Sequence, residues 1–197
     1  MAQPSRSRWG WCLAAAVPLA VLVGLRTSQN IHVVIAGQVW RSAQLGASDL
    51  ERLASEQNLR SVLNLRGARP GVDWYEAELQ VARRLHLEHD DFELSAERPV
   101  TPEQARALIE IMRRAPKPLL IHCEGGADRS GLGAALYRYA LARALPGEAA
   151  SELSAWYGHL PLFRPRVAAM DQSFLAYVEA FEGPLATDSA PSRLAPR

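Results

Sequence analysis

The sequence predicts an α/β fold, a central and mainly parallel sheet flanked by helices, preceded by an N-terminal membrane-anchor helix. Three observations carry that expectation. Short apolar strands alternate with amphipathic helices from about residue 31 to 183, the pattern of a parallel sheet covered on both faces. A run without any charged residue, Trp9 to Leu25, stands ahead of them. The composition is that of a packed globular chain, with 48% hydrophobic residues among 197.

Residues 1–30 are expected to be the anchor. As a helix the run 9–25 would reach roughly 25 Å, slightly under the ~30 Å hydrocarbon core. No Ala-x-Ala pattern follows it, so an uncleaved signal anchor is preferred; a cleaved signal peptide and a core helix are the alternatives. Arg6 and Arg8 precede the run and Arg26 alone lies close behind. The positive-inside rule then keeps the N-terminus in the cytoplasm. The expectation is a single-pass protein that touches the membrane through residues 9–25, with its folded domain outside the cytoplasm.

Residues 31–183 are expected to form that domain. His32–Ile35 and 38–40 flank Gly37 as short strands. Ser48 and Glu51 have the spacing of a capping box, opening a helix to about Gln57 with Leu50 and Leu53 inward. The run 62–65 is a strand ended by Arg66 and Gly67. A helix over 73–85 would place Trp74, Ala77, Val81 and Leu85 on its buried stripe. Residues 86–94 make a polar strand. Thr101, Pro102 and Gln104 cap a helix that runs to about Arg114, where Pro116 and Pro118 stop it. The run 119–121 is a buried strand, and a long Ala/Leu helix follows from about Arg129 to Leu145. Further helix is expected over 148–157 and 167–182. The Pro-rich end, 184–197, is expected to be a disordered tail.

Composition excludes some functions. The 22 Lys+Arg and 21 Asp+Glu leave a net charge of +1, without the basic excess of a nucleic-acid binder. Two Cys cannot build a disulfide framework or a Cys-rich zinc site.

The chemistry concentrates in L-L-I-H-C-E-G-G-A-D-R-S-G-L, residues 119–132. An apolar strand runs into a Gly-containing loop, and the loop runs into a helix. Such a loop gathers backbone N–H groups into one concavity fit for an oxyanion. Gly125 and Gly126 permit backbone angles that side chains would forbid. Arg129 adds a planar fork that matches two phosphate oxygens. The same positive field falls on the Cys123 sulfur, and such fields favour thiolates. A thiolate beneath a bound phosphate is placed for in-line attack on phosphorus.

These residues resemble the signature of the cysteine-dependent protein tyrosine/dual-specificity phosphatase superfamily: His-Cys, five residues, Arg, then Ser or Thr. The wording His-Cys-x-x-Gly-Ala-Asp-Arg-Ser-Gly is similar to an atypical, bacterial dual-specificity-like branch, as are V-W-R-S-A-Q at 39–44 and V-L-N-L-R at 62–66. The resemblance spans roughly 32–175 and is most specific at 121–131. It implies a dual-specificity-phosphatase-like fold and a phosphocysteine intermediate on Cys123. It implies a transition state held by Arg129 and the loop amides, help from Ser130 as the thiolate departs, and a loop oriented by His122. Glu124, Gly125, Gly126, Ala127 and Gly131 complete the implied phosphate-binding surface. No cofactor or metal is implied.

The general acid departs from the family pattern. An Asp from a separate loop is usual there, but H-D-D-F-E-L-S-A-E-R offers only Asp90, Asp91, Glu93 and Glu97 without a clear motif. Asp128 is the preferred catalytic candidate, since myotubularin-like and Sac-like lipid phosphatases carry Asp at that position; a bracing role for it is the competing reading. Arg66 ends a strand parallel to the one before Cys123, which places it at the pocket rim unless it is simply solvated; Arg41 is read the same way. His86, His89 and His159 read as loop or surface residues, and Trp74, Trp156 and Phe163 as core or rim packing. The function expected is hydrolysis of a phosphomonoester, on a phosphorylated protein or on a lipid or sugar phosphate. A catalytically weak phosphate-binding module is the alternative from a different class.

Overall fold

The computed structural model describes residues 29–182. The expected anchor run 9–25 and the expected tail 184–197 lie outside them. Among the described residues, no helix is long and apolar enough to cross a membrane.

Five strands form one sheet in the order β1-β2-β5-β3-β4: β1 His32–Ile35, β2 Val39–Ser42, β3 Ser61–Asn64, β4 Glu88–Asp91 and β5 Leu119–His122. Only the edge pair β1–β2 is antiparallel; β2, β5, β3 and β4 run parallel. The sheet is therefore mixed but mainly parallel, as the alternating β and α signals require. The helices are α1 Ala47–Gln57, α2 Asp73–Arg84, α3 Pro102–Arg114, α4 Asp128–Leu136, α5 Pro146–Ala150 and α6 Ala169–Glu182.

Strand side chains alternate between two cores, because successive residues of a strand point to opposite faces. Leu119, Ile121 and Leu63 pack with Leu108 and Met112 of α3, Leu132 of α4 and Phe174 of α6. Leu120 and Val62 face the other way, onto Leu50 and Leu53 of α1 and Val81 of α2. Every residue of β3 and β5 is buried, so these central strands are covered on both faces.

Register sets the functional edge. Ser42, His122 and Asn64 lie side by side at the carboxyl ends of β2, β5 and β3, with Asp91 of β4 beyond. The loops that leave these ends gather on one side, where ligands of open α/β sheets bind.

Several local expectations change. Ser48 caps nothing: α1 starts at Ala47, and the extended Gly46 is its N-cap without a side-chain bond. The Asp49 carboxylate in the first turn bonds Gln29 and Arg52 rather than the cap. The buried face of α2 is Tyr75, Glu78, Val81 and Ala82, one step round from the expected stripe. Trp74 instead lies under the Arg66 guanidinium, 3.9 Å from carbon to ring centre. Helix α4 starts at Asp128 and passes into a π-helical turn, Tyr137–Leu141, short of Leu145. The helix expected over 148–157 is only α5 and a 3₁₀ turn, Ala155–Tyr157, because Ser154 is extended between them. The Thr101–Gln104 capping box is complete in both directions.

Candidate active site

Cys123 follows β5 directly and is 2% exposed. The loop after it wraps the mouth of α4, and its shape follows from where its carbonyls go. The Glu124 carbonyl accepts from Gln44 N at 3.2 Å, and the Gly125 carbonyl from Asn30 Nδ2 at 3.0 Å. Both the Gly126 and Ala127 carbonyls accept from Arg41 Nη2 at 2.9 Å. Four successive carbonyls thus point outward into the scaffold. A trans peptide sets its N–H opposite its carbonyl. The N–H groups of Gly125, Gly126, Ala127 and Asp128 therefore turn inward, forming an anion nest at a helix N-terminus.

The turn needs glycine at one place. Gly126 has φ +68°, and a Cβ there would lie 2.5 Å from Ala43 N and 2.7 Å from Ser42 C. The backbone of β2 presses on the loop so closely that only hydrogen fits.

Arg41 is the brace beneath it. It is 0% exposed, and its Nη1 donates to the Glu152 carbonyl at 2.7 Å and to Glu152 Oε2 at 2.9 Å. Its guanidinium also stacks 4.3 Å from the Tyr157 ring centre. The reading of Arg41 as a solvated or rim residue is corrected: a buried carboxylate and two loop carbonyls compensate its burial.

Around the thiol, Ser130 Oγ lies 3.4 Å from Cys123 Sγ. Arg129 lies in the first turn of α4 beside the nest, with Nη2 3.5 Å from the exposed Glu124 carboxylate. Gly131 passes under the brace, where an added Cβ would stand 3.0 Å from the Glu152 carbonyl oxygen and 3.1 Å from Arg41 Nη2. His122 is held from behind by Glu78, whose Oε1 lies 3.1 Å from Nε2 of His122 and 2.8 Å from Nε2 of His89. Gln44 Nε2 donates to the other Glu78 oxygen at 2.7 Å. Burial alone would raise the Glu78 carboxyl, but the bonds from His122, His89 and Gln44 outweigh it and hold it far below the usual carboxylate range. His89 is thus part of the support, not a surface residue; His86 is exposed. Arg66 donates to Gln44 Oε1 at 3.3 Å, and partial burial lowers its proton affinity, opposed by the nearby Glu124 carboxylate.

A cleft of about 1030 Å³ opens over Cys123 and is lined also by Arg129, Asp128, Glu97, Tyr157 and Arg164. The acid candidates separate here. Asp128 Oδ1 lies 2.7 Å from His159 Nδ1, and its Oδ2 accepts from Arg164 at 3.2 Å. Glu97 comes to the cleft from the segment between β4 and α3. Asp91 is turned away, bonded by Asn64 at 2.7 Å and by the Tyr75 hydroxyl. Glu93 pairs with Arg69, and Asp90 does not line the cleft. His159, expected at the surface, is buried between Asp128 and Asp171, whose Oδ2 lies 2.8 Å from Nε2. Burial opposes charge on this imidazole, but the two carboxylates prevail and raise it above its ordinary value. Among the described residues, no group of three or more His, Cys, Asp or Glu is placed to hold a metal ion.

Sequence reading gave Arg41 and His159 other roles and missed Glu152 and Asn30. Their only local signal is position: Arg41 stands one residue before the end of the strand that neighbours β5.

Comparison with known proteins agrees with this geometry. A family model described as "tyrosine phosphatase family" matches residues 22–143. No curated protein sequence matches the chain. TpbA from P. aeruginosa, in complex with pTyr, is similar over 77% of this chain and 91% of that one, at 19% identity and TM-score 0.56. The catalytic core of the PP-IP phosphatase SIW14 from S. cerevisiae matches over 80% and 91%, at 19% identity and TM-score 0.61. PTPMT1 in complex with PI(5)P matches over 79% and 98%, at 13% identity and TM-score 0.55. At these identities the likeness is one of fold.

Proposed function

The chain is a phosphatase that belongs to the tyrosine phosphatase family, and from that premise we propose that it hydrolyses phosphomonoesters through a phosphocysteine on Cys123. One observation carries the reading: four outward-bonded carbonyls leave four N–H groups facing the space above a buried thiol. In the first step the Cys123 thiolate attacks phosphorus, the ester oxygen leaves with a proton from an acid, and Arg129 and the nest bind the equatorial oxygens. In the second step water gives a proton to the carboxylate left by that acid and attacks phosphorus, the P–S bond breaks, and the Cys123 sulfur leaves as thiolate as inorganic phosphate is released. Ser130 Oγ, 3.4 Å away, supplies a hydrogen bond to that sulfur.

Two residues on the cleft are proposed for the acid, Asp128 and Glu97. Glu97 is favoured, because both oxygens of Asp128 already have partners in His159 and Arg164. Asp128 then serves to fix the segment that carries Tyr157 and Arg164. The roles of His122 in orienting the loop and of Arg66 at the rim are proposed on the contacts given above.

The substrate is proposed as a phosphorylated protein or a lipid or sugar phosphate, and a cleft of about 1030 Å³ accommodates more than an aryl phosphate. Residues 9–25 are proposed to anchor the chain in a membrane, with the phosphatase domain outside the cytoplasm. A C-terminal fusion reporter tests that orientation, and a cytoplasmic readout contradicts it.

The chemistry is tested with Cys123→Ser. Turnover of an aryl phosphate should vanish while tungstate binding persists, since nest and Arg129 remain. Vanadate and thiol alkylation should block the unaltered chain, and chelators should not. Turnover by Cys123→Ser at the unaltered rate contradicts the mechanism. Slow turnover of even an activated aryl phosphate by the unaltered chain favours the binding-module alternative.

A further inference from the structure

Three large apolar side chains stand in solvent on one short segment: Trp156 is 76% exposed, Leu162 85% and Phe163 77%. Core or rim packing was expected of Trp156 and Phe163, and neither packs. Arg164 follows Phe163 directly, and Arg166 comes after Pro165. Their ion pairs, to Asp128 at 3.2 Å and Glu97 at 3.4 Å, leave both side chains more than half exposed. The segment borders the cleft, because Tyr157, Gly158 and Arg164 line it together with Cys123.

The segment is not loose. His159 is fastened to Asp128 and Asp171, and Asn30 Nδ2 donates to the Tyr157 carbonyl at 2.9 Å. The His32 ring packs edge-on against Tyr157, with ring centres 4.9 Å apart. Fixed apolar side chains held out in water are a surface built for contact.

Those same bonds indicate what it contacts. Asn30 and Gln29 begin the described chain, and both line the cleft. The uncharged run 9–25 ends a few residues upstream. Four residues span at most ~14 Å fully extended. If residues 9–25 lie in a bilayer, the Trp156–Arg166 segment cannot stand far from its surface. Trp concentrates at the membrane interface, and Arg is attracted to anionic headgroups.

We propose that residues 156–166 dock the cleft onto an anionic bilayer, so that the phosphates it meets are carried at the membrane surface. The inference rests on the phosphatase reading and on the proposed anchor, and it narrows the substrate class. Apolar side chains enter the interface while Arg164 and Arg166 face the headgroups.

The test uses the full chain in vesicles of phosphatidylcholine and phosphatidylglycerol. Trp156 is read as the difference in fluorescence quenching by brominated lipids between the unaltered chain and Trp156→Phe. Docking predicts that Trp156 is quenched, more by bromine near the headgroup than near the chain end. The combined variant Trp156→Ser, Leu162→Ser, Phe163→Ser should hydrolyse a soluble aryl phosphate at the unaltered rate. On a phosphoinositide in the same vesicles it should lose roughly tenfold or more. An unquenched Trp156, whether left in water or covered by a second copy or a protein partner, overturns the proposal. So does equal phosphoinositide turnover by the combined variant. If the unaltered chain hydrolyses no aryl phosphate, the phosphatase reading fails instead, and quenching alone decides the docking.

Discussion

Replacing Arg41 with Ala removes the brace under the anion loop. The side chain is fully buried and gives up an ion pair with Glu152 and hydrogen bonds to three carbonyls. Breaking a buried pair by deleting one partner costs about 3–5 kcal/mol, chiefly because the other charge stays buried. Here Glu152 keeps Arg138 at 3.1 Å, so the lower end of that range applies. At ~2–4 °C per kcal/mol for a domain of this size, a loss of ~3 kcal/mol lowers Tm by about 6–12 °C. The Gly126 carbonyl then loses the partner that holds it outward and the Ala127 carbonyl keeps only Gly131 N at 3.1 Å, so tungstate affinity should fall as well. Thermal unfolding of the full chain and calorimetric titration with tungstate read the two effects separately. The combined variant Arg41→Met, Glu152→Gln separates them further. It should recover much of the stability, since the one charge that loses its partner, Arg138, is only partly buried, but little of the anion affinity. A Tm fall under ~2 °C, or full tungstate affinity in Arg41→Ala, contradicts this role for Arg41.

Other consequences follow from the same geometry. Gly126→Ala forces a Cβ onto Ala43 N and a side chain into left-handed backbone, so turnover should drop with the loop displaced while the remote helix α3 keeps its hydrogen-exchange protection. With an alkyl phosphate Glu97→Gln should slow turnover by ~10²–10⁴, and with an activated aryl phosphate much less; if Asp128→Asn alone shows that leaving-group dependence, Asp128 is the acid. Asp128→Asn should otherwise slow both substrates alike and lower Tm. His159 has its affinity for a proton raised on folding, so its contribution is complete below its unfolded value near ~6.5 and is lost as pH rises through the folded value. Tm should therefore fall as pH rises above neutrality, less steeply in His159→Gln; an unchanged slope in that variant contradicts the assignment.

Legibility tracked distance along the chain. The anion loop was readable because strand, loop and helix are consecutive, and each residue type has a local reason to be there. Thr101 and Gln104 were readable for the same reason, three positions apart. Arg41 was not, because its partner Glu152 is 111 positions away, and an isolated Arg reads as solvated. His159 hid likewise, 31 positions from Asp128. Glu78 defeated the helical stripe: a carboxylate belongs outside until two imidazoles and an amide are found waiting for it within the fold. Trp156 and Phe163 failed in the opposite direction. Apolar type predicts burial only where packing partners exist, and the extended Ser154 and the turns around Leu160 carry them out of the core.

The proposed mechanism passes through a covalent bond between phosphorus and Cys123. The direct measurement is rapid acid quench of the full chain turning over a radiolabelled aryl phosphate, followed by peptide mapping. Label should appear on the peptide that contains Cys123, formed before inorganic phosphate is released and absent from Cys123→Ser. Steady turnover with no label on the protein, or label on any other residue, would contradict it.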